Sequence, residues 1–191
     1  MNLPNRLTML RIILVPFFAV FLCIDFGVFS LRINDIIALI IFVAASITDF
    51  LDGYISREYD LETTFGKFAD PLADKILVAA ALVCFCYLGL VNPIPVIIIL
   101  AREFMVSGLR LVVADKGVVV SAGIWGKLKT AFTMVTIIFI LVSLIMMDSG
   151  NTGLNDTLSL IFTIMLWISV VLTVISGLIY LNAYKKYISD M

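Results

Sequence analysis

Read along its 191 residues, the chain alternates long apolar runs with short polar clusters, and the runs have bilayer length. A bilayer core is crossed by about 20 helical residues. Runs of that size fall at about 7–29, 33–55, 70–90, 95–114, 125–147 and 157–184. The first holds Arg11 near its start and Pro16 as a tolerated kink; the second has a charge-free core over 36–48. The stretch 76–101 carries no charge, but "VNPIP" divides it: Asn92, Pro93 and Pro95 predict a tight turn between two spans. "MMDSGNTGLND" predicts a loop before the last span. Lipid offers backbone groups no partners, so spans of this kind must be helices. The pattern predicts an all-α integral membrane protein, one domain over 1–191 with six transmembrane helices. No internal repeat, low-complexity tract or separate soluble domain interrupts it.

Composition agrees. Hydrophobic residues make up 62% of the chain and charged ones 14%, against about a quarter charged in soluble domains. A soluble domain of this size has too much surface for its volume to hide so much apolar area. The formal net charge of −1 gives no sign of a nucleic-acid partner. The chain has no histidine, which excludes imidazole catalysis and imidazole metal sites. Cys23, Cys84 and Cys86 lie in apolar runs without metal-site spacing and read as packing residues. Pro4, Asn5 and Arg11 interrupt the N-terminus and no small-residue cleavage site follows, so a signal peptide is not expected. Of the 13 Lys and Arg, Arg32 alone falls on one side of a six-span topology and Arg102 lies inside a span, leaving 11 on the other side. The positive-inside rule then puts both termini in the cytosol.

The acidic residues are concentrated. The segment 49–75, "DFLDGYISREYDLETTFGKFADPLADK", holds seven of the chain's 14. Asp49 and Asp52 are i, i+3 near the cytosolic end of the second span; Asp70 and Asp74 are i, i+4 at the start of the third. Each pair shares a helix face, and an antiparallel hairpin can aim all four at one point. Carboxylates so gathered must take protons or bind cations. An all-oxygen set suits Mg²⁺ or Mn²⁺, and no imidazole or thiol competes. Gly53 and Gly66, one turn from the aspartates, let a bulky ligand approach the backbone. Arg57, four residues past Gly53, suits a phosphate. Thr63 and Thr64 add hydroxyls, and Pro71 falls in a first helical turn, where its missing N–H costs nothing. Glu58, Asp60 and Glu62 read as a solvated loop. The four helical aspartates do not, because ionisable groups at the membrane edge are functional by default.

Asp49, Asp52, Gly53, Arg57, Gly66, Asp70 and Asp74 together resemble the signature of the CDP-alcohol phosphotransferases: D-x-x-D-G-x-x-A-R, eight residues, then G-x-x-x-D-x-x-x-D. One position departs, Ser56 standing where alanine is usual. The resemblance implies six transmembrane helices, a homodimer, and transfer of a phosphatidyl-type group from a CDP-linked lipid to an alcohol with release of CMP. It implies two divalent metals held by Asp49, Asp52, Asp70 and Asp74. Asp74 is then also the candidate general base, and Gly53, Arg57 and Gly66 contact the CDP moiety. Attack on the β-phosphorus leaves CMP negatively charged, and metals that bridge both phosphates stabilise it.

The acceptor must be read from elsewhere. "IIILAREFMVSGLRL" places Arg102 and Arg110 eight residues apart on one face of the fourth span; "GKLKT" places Lys127 and Lys129 at the start of the fifth. Arg110, Lys127 and Arg102 form a candidate cradle for an acceptor phosphate. Lys116 and Lys129 fit topology alone. Arg102, inside its span, also calls for a buried acid, and Glu103 points about 100° away on the helix, so another helix is expected to supply it. The N-terminal "MNLPNRLTMLRIILVPFF", with "AREF", "GLR" and "GKLKT", is similar to the bacterial phosphatidylglycerophosphate synthase branch of the family. That likeness implies CDP-diacylglycerol as donor, glycerol 3-phosphate as acceptor, and a plasma-membrane enzyme with its site facing the cytosol. It makes "LPNRLTMLR" a short interfacial helix ahead of the first span, with Thr8 and Arg11 closing the site. Inositol phosphate, serine or phosphatidylglycerol as acceptor remain open, as does a divalent-cation transporter, although transporters bind near the midplane on broken helices. A purely structural membrane protein is the third alternative.

Overall fold

The computed structural model describes residues 3–24, 31–58, 64–115, 123–147 and 151–188. Within these, the side chains at 3–5, 31, 49–58, 64–72, 74, 111–112, 114–115 and 185–188 lie outside the description. Six helices follow in order: α1 Leu3–Cys23, α2 Leu31–Glu58, α3 Thr64–Tyr87, α4 Pro93–Asp115, α5 Ile124–Met146 and α6 Thr152–Ile188; no strand occurs among the described residues. Arg6–Cys23, Ile124–Met146 and Thr152–Tyr184 are long and apolar enough to cross a membrane, and α3 holds a shorter apolar stretch, Lys75–Tyr87. The protein is an all-α membrane protein by this composition and architecture.

The helices outrun the predicted spans at several ends. α2 continues to Glu58 and α3 begins at Thr64. Apolarity marks where lipid lies, whereas the i→i−4 ladder continues wherever the backbone can bond to itself. At the N-terminus the expected separate interfacial helix is not a distinct element. Leu3–Cys23 is one helix with Pro16 inside it, and Thr8 and Arg11 are fully buried. Their face continues without a break into buried Val15, Phe18 and Leu22, and this shared inward stripe keeps the segment in one piece.

Local chemistry ends and starts the helices. Gly89 has φ +70°, a left-handed conformation suited to glycine. The Leu90 N–H donates to the Phe85 carbonyl and the Gly89 N–H to the Cys86 carbonyl, each at 3.0 Å. This is a Schellman ending for α3. The Asn92 side-chain oxygen accepts from the Ile94 N–H at 2.9 Å and caps α4. Asn151 caps α6 in the same way, accepting from the Leu154 N–H at 3.2 Å. Asn92 of the predicted "VNPIP" turn and Asn151 of the predicted loop thus serve as helix caps, and residues 148–150 lie outside the described residues.

The chain forms two compact units, residues 1–90 with 137–155 and residues 91–136 with 156–191. In the first, α1 packs along both α2 and α3, and those two also touch each other. The interface is alanine-lined: Ala38, Ala45, Ala73 and Ala81 are fully buried, between Phe18, Phe42, Leu77 and Phe85. Small residues let helix backbones approach closely where lipid removes the hydrophobic drive to associate. The Phe18 and Phe42 rings meet at 5.7 Å, tilted by 50°.

The second unit is built from α4, the first half of α5 and most of α6. Its interior sets polar side chains among apolar ones such as Ile99, Phe162 and Leu166. Lys129, Thr133 and Thr136 repeat along one face of α5, and Ser169, Thr173 and Ser176 along one face of α6, all buried. Thr133 and Thr136 return their hydroxyl protons to the carbonyls one turn back at 2.9 Å. The Thr136 and Ser169 hydroxyls meet at 3.3 Å.

Candidate active site

In the first unit the backbone puts the four signature aspartates on helix ends that a five-residue connection, 59–63, joins. Asp49 and Asp52 lie in the last turns of α2, and Asp70 and Asp74 in the first turns of α3. Two helices joined so shortly run antiparallel, so both pairs fall at the same end of the unit. Gly53 and Arg57 sit on α2, and Gly66 on α3. The side chains of all seven lie outside the described residues. So do Thr63 and the side chains of Thr64 and Pro71. Among the described residues no cluster of acids, cysteines or histidines forms a metal site. The donor chemistry still fits a hard divalent cation. Four carboxylates share two helix ends in a chain with no histidine, and buried Cys84 lies near the far end of α3.

α1 adds a third wall. Thr8 and Arg11, one turn apart and both at 0% exposure, lie near the N-terminal end of a helix that packs on α2 and α3. Arg11 is the largest fully buried side chain described. A guanidinium is buried only where acids, anions or backbone oxygens receive it.

In the second unit the structure separates the three cations proposed for the acceptor phosphate. Arg110 is exposed. Its Nε donates to the Tyr180 hydroxyl at 3.0 Å, and its guanidinium carbon lies 5.3 Å from the Tyr180 ring centroid. That pins one edge of the planar fork and leaves both Nη groups without a partner among the described residues. Lys127 is exposed, and its side chain likewise makes no bond among them. These two are available to an anion.

Arg102 is not. Its Nη1 donates to Glu103 Oε1 at 3.0 Å and its Nη2 to Ser176 Oγ at 2.6 Å. Its Nε is buried without a hydrogen bond among the described residues. The expectation that another helix supplies the acid is corrected, because the acid is the adjacent Glu103. Two long side chains close the 100° between them by bending, and Lys129 of α5 draws the carboxylate inward by pairing with the same oxygen. Lys129 is therefore a buried ion-pair partner, not a solvated topology signal. Gly177 lets Arg102 lie across α6, since a Cβ there would stand 3.2 Å from Arg102 Cγ.

Sequence reasoning set Glu103 aside as the partner of Arg102 and read Lys129 as topology, and it did not single out Ser176 or Tyr180. Glu103 carried a usable signal, because an Arg-Glu pair inside an apolar span must be satisfied within the protein. The others carried none. Serine and tyrosine in a long apolar helix look like ordinary membrane composition until their partners are known.

A family model described as CDP-alcohol phosphatidyltransferase matches residues 1–175. The chain is 40% identical over 190 residues to a protein of Rickettsia felis named CDP-diacylglycerol–glycerol-3-phosphate 3-phosphatidyltransferase, covering 97% of both. It is 39% identical over 183 residues to the Bacillus subtilis protein of that name, covering 92% of this chain and 91% of that one. With the Haemophilus influenzae protein of the same name it shares 34% over 193 residues, covering 99% and 96%.

Proposed function

The chain belongs to the CDP-alcohol phosphatidyltransferase family, and from that premise we propose that it transfers the phosphatidyl group of CDP-diacylglycerol to sn-glycerol 3-phosphate. The products are phosphatidylglycerol phosphate and CMP. What carries the reading is the likeness along nearly the whole chain, 40% identity over 97% of both sequences, to a relative with that activity in its name. The reaction belongs to phospholipid biosynthesis in a bacterial plasma membrane, with the site on the cytosolic side.

Asp49, Asp52, Asp70 and Asp74 would hold two divalent cations, Mg²⁺ or Mn²⁺. Such ions offset the phosphate charge and stabilise the charge that builds on the leaving CMP. The protein's residues do the rest. Gly53 and Gly66 leave backbone surface open to the nucleotide, and Arg57 offers its fork to a phosphate. Asp74 takes the proton of the acceptor hydroxyl as its oxygen attacks the β-phosphorus. The bond from that phosphorus to the CMP oxygen breaks, and CMP leaves with the electron pair. Arg110 and Lys127 hold the acceptor's phosphate. The support for Arg110 is its geometry: an edge fixed by Tyr180 and an outward fork fit bidentate recognition of a phosphate. Arg102 is withdrawn from this direct role because both its Nη groups are engaged. We infer a homodimer as well, which crosslinking in native membranes would reveal.

The test is CMP release from proteoliposomes given CDP-diacylglycerol and labelled acceptors. Glycerol 3-phosphate is expected to be consumed in the presence of Mg²⁺ or Mn²⁺, with serine, inositol phosphate and phosphatidylglycerol inert. Consumption of serine with glycerol 3-phosphate ignored overturns the acceptor. Ion flux without nucleotide, and no CMP, overturns the enzyme.

A further inference from the structure

Among the described residues, the interhelical bonds made by charged side chains of the second unit fall in two layers. The deeper one joins Arg102 and Glu103 of α4 to Lys129 of α5 and Ser176 of α6. The outer one joins Arg110 of α4 to Tyr180 of α6, with Lys127 exposed on α5, two residues before Lys129. Arg110 lies two helical turns beyond Arg102, and Tyr180 one turn beyond Ser176, so both helices lead from the deeper layer to the outer one in the same chain direction.

Among the described residues, the deeper layer sets two cations on one acid. Arg102 and Lys129 share a single oxygen, Glu103 Oε1, and their side chains are 11% and 4% exposed. Such a cluster is a poor device for stability. Burying ions costs several kcal/mol each, and apolar residues of the same volume usually do as well or better. What an ion cluster supplies is a fixed geometry, because few arrangements pair its charges. Here that geometry ties three helices at one level, and two of the same helices carry the outward cations.

We propose that Glu103 is a positioning residue for acceptor binding. Its carboxylate, shared by Arg102 and Lys129, locks α4, α5 and α6 in register and so sets where Arg110 and Lys127 stand. It touches no substrate itself. The proposal rests on the reading of Arg110 and Lys127 as the acceptor's phosphate site.

The experiment uses the full-length protein in proteoliposomes, with KM for each substrate, kcat, and Mn²⁺ affinity read by electron paramagnetic resonance. Glu103→Gln leaves two buried cations facing a neutral amide. It is expected to raise KM for glycerol 3-phosphate by roughly tenfold to a hundredfold. KM for CDP-diacylglycerol and Mn²⁺ affinity should stay within about twofold. Adding Lys129→Met removes one of the two cations left facing that amide and should recover most of the loss. The proposal is overturned if KM for glycerol 3-phosphate does not move, if all three quantities move together as in a general loosening, or if the double variant is no better than the single. Should Glu103→Gln not fold, Ser176→Ala removes only the acceptor of Arg102 Nη2. About a threefold rise in the same KM is then expected, and no change overturns the idea. Arg110→Ala, measured beside these, separates the two levels. If it leaves KM for glycerol 3-phosphate untouched, the acceptor reading itself fails. If it raises that KM and Glu103→Gln does not, only the positioning role fails.

Discussion

The two units solve the same problem, holding helices together in lipid, by different means. Among the described residues, α1, α2 and α3 bury alanines, two tilted phenylalanine rings and few polar groups, namely Thr8, Arg11 and Asn34. α4, α5 and α6 add to buried Ile99, Phe162 and Leu166 a file of hydroxyls and an Arg–Glu–Lys cluster. Lipid tails are as apolar as leucine, so close packing and interhelical hydrogen bonds are what remain to hold a bundle. The first unit leans more on packing and carries the helix ends with the proposed metal ligands. The second adds polar bonds and carries the groups proposed for the acceptor. In the proposed reading, chemistry and recognition thus fall on differently built frames.

That contrast can be broken or sharpened by substitution. The largest effect is expected from Asp70→Asn, which removes a metal-site charge. CMP release should fall by about a thousandfold or more while the protein stays folded, and retained activity would return the chain to the structural alternative. Next is Arg110→Ala, which should raise KM for glycerol 3-phosphate by about ten- to fiftyfold, leaving KM for CDP-diacylglycerol nearly still. Steady-state assays with each substrate varied in turn read the split. Third, Ala45→Leu forces three extra carbons into a fully buried site on α2. It should cost about 1–3 kcal/mol in reversible unfolding from mixed micelles. The smallest effect belongs to the hydroxyl ladder. Thr136→Val, paired with Ser169→Ala in a double-mutant cycle, should show a coupling of only about 0.6 kcal/mol. A coupling several times larger would mean that hydrogen bonds dominate the second unit more than contacts of this kind do elsewhere.

Much of this was legible beforehand, and for a definite reason. Hydropathy reports on the solvent around a helix, so it found six helices and the turns at Asn92 and Asn151. It could not find where those helices end, because the ladder of backbone bonds ignores the lipid boundary: α2 reaches Glu58 and α3 starts at Thr64. Nor could it divide α1, whose buried Thr8 and Arg11 continue one stripe. In the candidate site, the aspartates could be proposed because their spacing is local to two helices, and their side chains lie outside the described residues. Arg110 and Arg102 looked alike because both are arginines on one face of α4. What distinguishes them is tertiary: Tyr180 holds one by an edge, while Glu103 and Ser176 occupy the other. Those partners lie 70 or more positions away on α6, or next door, where helical geometry argues against pairing.

The length of α6 has its own consequence. At 37 residues it measures about 55 Å, against a hydrocarbon thickness of about 30 Å. The surplus must lean or stand clear of the lipid, and the tyrosines at 180 and 184 fall where it does so. Those rings, 5.3 Å apart and tilted by 37°, are of the amphipathic kind that favours the headgroup level. Arg110 donates to the first of those tyrosines, so any lean that fits the long helix to the lipid carries the Arg110 contact with it.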